Sequence, residues 1–276
     1  MSAIEPNKPM CPKFHICILN WNGADILDKC IESVFMNKVP NYRVTVIDNN
    51  SSNFYPSKID SRVNIVQLDK NYGFSKGYNL GINKSNIDDD EYIILLNYDA
   101  TLDQNFISLL SKAVSSRGPD YIYGVKILFD NDEKLIWYAG GLFDLPSGEI
   151  AHIGIRQSNN KFNIEMETDY VTGCCMVIHK QIYLKLKGFD ETFFMYNEDV
   201  DLCIRAKGYG VKCFYVPSAV AYHKVSMSTG GNYSIKKILL KTRSSHLLYR
   251  KYYKFPMSLL LLLRYLMKTL INIKRV

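Results

Sequence analysis

Tyr92-Ile-Ile-Leu-Leu-Asn-Tyr-Asp-Ala100 is an apolar run that stops abruptly in polar residues. A run without polar alternation suits a strand buried on both faces, as in a parallel sheet covered by helices. Asn97-Tyr98-Asp99 then falls just past its carboxyl end, where open α/β sheets take their ligands. The same pattern recurs upstream. Phe14-His-Ile-Cys-Ile-Leu19 is broken by Asn20-Trp-Asn-Gly23, after which Ile26/Leu27, Cys30/Ile31 and Val34/Phe35 recur at helical spacing. Tyr42–Ile47 ends in Asp48-Asn-Asn-Ser-Ser52. Val63–Leu68 leads to Asn71-Tyr-Gly-Phe-Ser-Lys-Gly-Tyr-Asn-Leu-Gly81 and a helix. Strands alternating with helices predict an α/β protein with a doubly wound, mostly parallel sheet. Each polar cluster alone also reads as a turn or a cap, Asp99 as the cap of a helix beginning near Leu102. Four of them at four strand ends predict a site. The spacing of Gly73 and Gly77 is not G-x-G-x-x-G, so no dinucleotide fingerprint is present.

Downstream the character changes. Tyr121–Phe129 reads as a strand, and Trp137-Tyr-Ala-Gly-Gly-Leu-Phe143, Pro146-Ser-Gly148 and His152-Ile-Gly154 as hairpins and loops over a sheet edge. Rings beside glycines form a surface for stacking on sugars, or simply pack a hairpin. Val171–Ile178 returns to a buried strand, Ile182–Leu186 to a short helix. Met195-Tyr-Asn-Glu-Asp-Val-Asp-Leu-Cys-Ile-Arg205 begins a second acidic element. Asn197 is placed to cap a helix with Glu198 and Asp199 in its first turn. Asp201 and Arg205, four apart, are placed to pair, and Leu202 and Ala206 share a face to bury. Phe193, Phe194 and Tyr196 precede the carboxylates, so the stretch reads as a pocket whose floor holds a base. A last strand, Val211–Val216, runs into Pro217 and then Ala221-Tyr-His223. His223, at a strand end like Asp99, suits a divalent-cation ligand when paired with a carboxylate across the same site.

A chain of 276 residues with 47 % apolar residues can bury a large core. Met1–Pro12 is polar and proline-rich, a loose leader without a signal-peptide pattern. Seven cysteines, an odd number with no C-x-x-C spacing, argue against a zinc site or disulfide framework and for a reducing cytoplasm. The net charge of +7 hides an asymmetry: after Asp201 there are 15 Lys/Arg and no Asp/Glu. Such an end seeks nucleic acid or an anionic membrane. No nucleic-acid motif is found. The tail from Ser234 is helical in pattern, and Leu259–Leu263 is followed by Arg264 and Lys268, which interrupt any membrane span. A helix lying in the interface is expected over 234–276, on an anionic membrane surface. Packing on its own domain, or a homodimer through the C-terminal helices, is the alternative.

Together these motifs resemble family 2 glycosyltransferases of the GT-A fold, especially the bacterial rhamnosyltransferase-like branch. The matching pieces are Ile18–Asn22, Val46–Ser51, Asn71–Asn79, Leu95–Ala100, Thr172–Met176, Gly188–Glu191, Asn197–Arg205 and Tyr222-His223, in the family's order across about residues 14–225. The resemblance implies a Rossmann-like central sheet with flanking helices over 13–230, a nucleotide-binding half (13–100) and an acceptor half (101–230), followed by a basic helical extension over 231–276. It implies that Asp48 binds the nucleoside base, with Leu19, Asn20, Trp21, Asn22 and Asn71 nearby and Gly77 and Asn79 on the donor side. Asn97-Tyr98-Asp99 stands in place of the family's D-x-D, with Asn at its first position. Asp99 and His223 become the metal ligands for Mg²⁺ or Mn²⁺. Asp199 becomes the catalytic base, with Glu198 beside it. Trp137, Gly173 and Tyr196 fall to the acceptor or sugar.

The expectation is a metal-dependent inverting transferase, cytoplasmic and peripheral on the inner face of the cell membrane. It would move a sugar, with rhamnose from dTDP-rhamnose favoured, from a nucleotide-sugar donor to a lipid-linked glycan acceptor. The alternatives are another UDP or GDP sugar on a soluble or protein acceptor, and a non-catalytic glycan-binding relative, against which intact Asp99, Asp199 and His223 argue. A nucleotidyltransferase would want a Gly-rich basic loop after the first strand, which Asn20-Trp-Asn-Gly23 is not.

Overall fold

The computed structural model describes residues 11–55, 59–224 and 235–274. The leader, apart from residues 11 and 12, and the start of the tail up to Ser234 therefore lie outside the described residues. The first half is a parallel block. β1 (Lys13–Asn20), β2 (Tyr42–Asp48), β3 (Val63–Gln67) and β4 (Glu91–Asn97) lie in the order β3-β2-β1-β4. All their adjacent pairs run parallel, and β1, β2 and β4 are almost wholly buried, as continuous apolar runs require, while the edge strand β3 is only partly so. The helices α1 (Ala24–Phe35) and α2 (Gly73–Lys84) make the crossovers that parallel neighbours need.

Past β4 the sheet turns mixed. β5 (Ala100–Leu102) leads to α3 (Phe106–Arg117), β6 (Tyr121–Phe129) and β7 (Asp132–Tyr138); β8 (Gly141–Asp144) and β9 (Glu149–His152) form a separate hairpin. β10 (Met166–Thr168), β11 (Cys175–His179), α4 (Lys180–Lys185), α5 (Glu198–Gly208) and β12 (Lys212–His223) follow. The full order is β10-β12-β6-β11-β4-β1-β2-β3, with β11 inserted antiparallel between β4 and β6. The predicted parallel strands and their crossover helices are all present.

Three local expectations need correction. Asp99 does not cap a helix at Leu102, because residues 100–102 form β5, which pairs antiparallel with the end of β12. β12 does not stop at Pro217 but continues to His223, its register against β6 shifting between Val216 and Val220. Proline lacks the ladder N–H and is tolerated at such a bulge. Asn197 does not cap α5 through its side chain: its backbone is left-handed at φ 62, and its amide donates to Ser245 Oγ at 3.3 Å. The Asp201–Arg205 pair forms at 2.8 Å, and Leu202 and Ala206 are buried as expected.

The C-terminal helices α6 (Ile235–Tyr252) and α7 (Met257–Lys274) pack against each other, and α6 is fastened to the domain. Asp201, fully buried, accepts Tyr252 Oη at 2.7 Å and pairs with Lys251 at 2.6 Å. Tyr249 Oη donates to the Gly148 carbonyl at 3.2 Å, and the Ser244 hydroxyl to that of Tyr196.

Candidate active site

The carboxyl ends of β1, β2 and β4 open onto a cavity of about 970 Å³, closed on its far side by α6 and α7. A knot of amides shapes the wall beside β2 and α2. Asn49 donates to Asn71 Oδ1 at 3.1 Å and to the Gly73 carbonyl at 2.9 Å, and accepts the Tyr72 N–H at 2.9 Å. Gly73 sits at φ +77, and a Cβ there would stand 2.4 Å from the Phe194 carbonyl oxygen, which the Phe74 N–H meets at 2.7 Å. Only glycine fits such a contact. It ties the start of α2 to the loop that precedes the carboxylates.

Asp99 and His223 are 124 positions apart in the chain, yet the β5–β12 ladder sets Ala100 opposite His223 and brings Asp99 Oδ1 within 3.4 Å of His223 Nε2. Both side chains are buried, and Asp99 Oδ1 and His223 Nδ1 have no hydrogen-bond partner. Buried polar atoms are rarely left so. An unpartnered oxygen and imidazole nitrogen on residues that line one cavity suit a hard divalent cation. Among the described residues no third His, Cys, Asp or Glu joins them. Such an ion would complete its shell with ligand oxygens and water. The Trp137 ring stacks edge-on against His223 and against His152, 4.4 Å between centroids in each case. Burial foremost, helped by the nearby Lys241 charge, holds the His152 pKa down at about 4 against the pull of the Trp137 carbonyl.

Across the cavity lie the two carboxyls that open α5. Asp199 Oδ2 accepts the Gly173 N–H at 2.9 Å, and its Oδ1 the Val200 N–H at 2.8 Å. Gly173 itself is required by the Phe74 ring, 2.7 Å from where a Cβ would be. Glu198 is buried with Oε2 unpartnered. Burial and then the neighbouring Asp199 push the Glu198 pKa well above the carboxylate range. Burial also raises Asp199, but its backbone donors oppose the shift. Environments that push two acids apart mark acid and base roles.

The cavity gathers Leu19, Trp21, Asn71, Asn97, Tyr98, Asp99, Trp137, Gly173, Tyr196, Glu198, Asp199 and His223 from the residues singled out in the sequence. Five others stand behind its wall. Asp48 is 2 % exposed and accepts Asn20 Nδ2 at 2.9 Å and the Ser51 N–H at 3.1 Å. Asn22 caps Ser52 at 2.9 Å, and Gly77 lies under Asn49 and Leu19. Asn79 bonds Phe189 and Tyr183, fastening α2 to the Gly188 turn. Sequence reasoning missed Asn49, His152 and the lining side chains of α6 and α7, among them Lys237, Lys241, Arg264 and Lys268. The four-residue spacing of Lys237 and Lys241 was the available signal.

A parallel block of strands with an antiparallel strand inserted at its edge is the GT-A arrangement. GalNAc-T7, solved with UDP, GalNAc and Mn²⁺, has this fold at a TM-score of 0.64 and 16 % identity, over 80 % of this chain and 45 % of that one. A profile of glycosyl transferase family 2 matches residues 15–186, and one described as N-terminal domain of galactosyltransferase matches 154–229. The chain belongs to glycosyltransferase family 2 and is a glycosyltransferase. It is 27 % identical to Rhamnosyltransferase WbbL of Escherichia coli (strain K12), over 76 % of this chain and 82 % of the relative. It is 23 % identical to dTDP-rhamnosyl transferase RfbF of Shigella flexneri, over 87 % and 77 % respectively. A stretch of 66 residues is 39 % identical to N-acetylglucosaminyl-diphospho-decaprenol L-rhamnosyltransferase of Mycobacterium tuberculosis (strain ATCC 25618 / H37Rv), 24 % of this chain and 22 % of that protein.

Proposed function

We propose that the protein transfers rhamnose from dTDP-rhamnose, with inversion, to a hydroxyl of a lipid-linked glycan. The observation that carries the chemistry is the convergence on one cavity of the unpartnered Asp99–His223 pair and the Glu198–Asp199 pair. The names of the relatives support the sugar and the lipid-linked acceptor. Asp199, oriented by the Gly173 N–H, accepts the proton of the acceptor hydroxyl as its oxygen attacks the anomeric carbon and the nucleoside diphosphate departs from the opposite face. General-base assistance of this kind is typically worth roughly 10²–10⁴-fold. Burial and Asp199 push the Glu198 pKa up furthest, while the Gly173 and Val200 N–H groups favour the ionised form of Asp199. Asp99 and His223 would hold Mg²⁺ or Mn²⁺, which when bound offsets charge on the leaving diphosphate. Asn49, Asn71 and Trp21 line the end of the cavity open to the nucleoside.

Peripheral membrane attachment is part of this reading. α7 exposes Leu259, Leu260, Leu263 and Met267 and carries basic residues, and no helix among the described residues is long and apolar enough to cross a membrane. An exposed apolar face with cations suits the surface of an anionic bilayer.

A panel of nucleotide sugars, screened with and without Mn²⁺ for thermal stabilisation and for transfer, tests the donor. A ligand at 100 times its Kd stabilises by about 2.7 kcal/mol. The dTDP sugar should stabilise most, only with metal, and the gain should vanish in Asp99→Ala and His223→Ala. Equal stabilisation of these variants would remove the metal site; a stronger response to UDP or GDP sugars would replace the donor.

A further inference from the structure

The carboxylate side of the cavity faces a basic one. Lys237 and Lys241, four apart on α6, share a helix face, and both line the cavity together with Arg264 and Lys268 of α7. Lys237 is 9 % exposed. Lys241 lies with Nζ 5.3 Å from the centre of the Tyr196 ring, three residues before Asp199. It is open to the cavity, yet enough protein surrounds its ammonium that burial pulls its pKa below the ordinary lysine range. Burial and then Lys241 lower Lys237 in the same way. Lys268 is paired with Glu149 at 2.7 Å, and Arg264 also acts on that carboxylate; among the described residues Lys241 is in no ion pair. Like charges four apart on a helix repel, and an arriving anion relieves the repulsion.

These cations line the same cavity as the Asp99–His223 rim. The Trp137 ring stacks against both His223 and His152, and Lys241, whose ammonium neighbours the Tyr196 ring, adds positive charge near His152. With the donor diphosphate held at His223, as proposed above, an anion meeting Lys241 would be a second one. α7 supplies an independent observation. Leu261, Arg264, Tyr265, Lys268 and Thr269 face the cavity, whereas Leu259, Leu260, Leu263 and Met267 are exposed. At about 100° per residue these sets occupy opposite sides of the helix. One helix thus borders both a charged cavity and an apolar outer surface, the two environments an amphiphile with an anionic head needs.

We propose that Lys241, with Lys237 and Arg264 beside it, forms a subsite for a phosphate or diphosphate carried by the acceptor. The apolar chain of that acceptor stays with the outer side of α7 while its sugar hydroxyl reaches Asp199. The subsite rests on the transferase reading of the cavity, but it is tested by binding without turnover. Lysine ammoniums, compact point charges on flexible stems, suit a phosphate that must enter and leave.

The full chain, with dTDP and Mn²⁺ at saturation so that the donor side is filled, is titrated calorimetrically with geranyl diphosphate and with geraniol. The diphosphate should bind at least tenfold more tightly than the alcohol. Lys241→Gln should abolish most of that preference, Lys241→Arg should retain it, and dTDP affinity should stay within twofold in both. Thermal unfolding checks that the variants are folded. Three results overturn the subsite: no preference for the diphosphate in the parent chain, competition between geranyl diphosphate and dTDP, or a preference that survives Lys241→Gln. A fall in dTDP affinity instead assigns the lysines to the donor. Failure of the transferase reading shows separately, as absence of transfer from every nucleotide sugar despite intact binding of the diphosphate.

Discussion

Asp199 accepts the Gly173 N–H at 2.9 Å, while Glu198, one residue earlier, buries Oε2 without a partner. Replacing Asp199 by Asn preserves shape and removes the base, so turnover should fall by about 10²-fold or more with nucleotide affinity kept. Steady-state kinetics beside nucleotide titration separates the two, and near-normal turnover would remove Asp199 from the role. Glu198 gives a pH-dependent prediction. Its folded pKa is raised, first by burial and then by Asp199, so the folded state holds the proton more tightly than the unfolded chain. The stability this contributes is complete below the unfolded value of about 4.3 and is lost as pH rises through the folded pKa. Glu198→Gln, which stays neutral, should therefore gain melting temperature over the parent at pH 8 and little at pH 5. A difference independent of pH would contradict this sign. That Asp99, Asp199 and His223 would meet at one cavity was legible in sequence, because each follows an apolar run or opens a helix. Asp48 was legible as a polar strand end, but spacing does not show that Asn20 and Ser51 occupy its oxygens. Lys241 was visible only as charge, and composition gives the sign of a charge without its direction.

At the scale of elements, the strands were readable because continuous apolar runs have few other uses, whereas β5 has only three residues and carries no period. The two C-terminal helices were readable as helices but not as a cavity wall. An amphipathic stripe says that one face is covered, not what covers it. α6 is held by Lys251 and Tyr252 on the buried Asp201, while α7 buries Leu261 and leaves its leucine-rich side open. Truncation after Lys254 should thus leave a folded protein that keeps nucleotide-dependent stabilisation and no longer co-sediments with anionic vesicles. Each Lys or Arg near such a surface contributes about 1 kcal/mol, so binding by the full chain should weaken as salt rises. Loss of cooperative unfolding in the truncated chain would instead make α7 part of the core.

For the whole molecule, the order β3-β2-β1-β4-β11-β6-β12 matters more than the inventory of strands. The motifs lead to an expected functional division near residue 100. It is not a division of the sheet, since β11 joins β4 to β6 from a position far down the chain. Expressed alone, residues 13–120 should be insoluble or self-associating, because β4 would present an open edge lined by its buried residues Ile93–Leu96. A monomeric, cooperatively melting fragment would show that the parallel block stands by itself. The same insertion governs how the protein is born. At about 5–20 residues per second, translation needs roughly 4–16 s to pass from the end of β4 to the end of β11. Throughout that interval the emerging chain waits beside the ribosome for the strand that seals it, a window in which holdase chaperones have their claim.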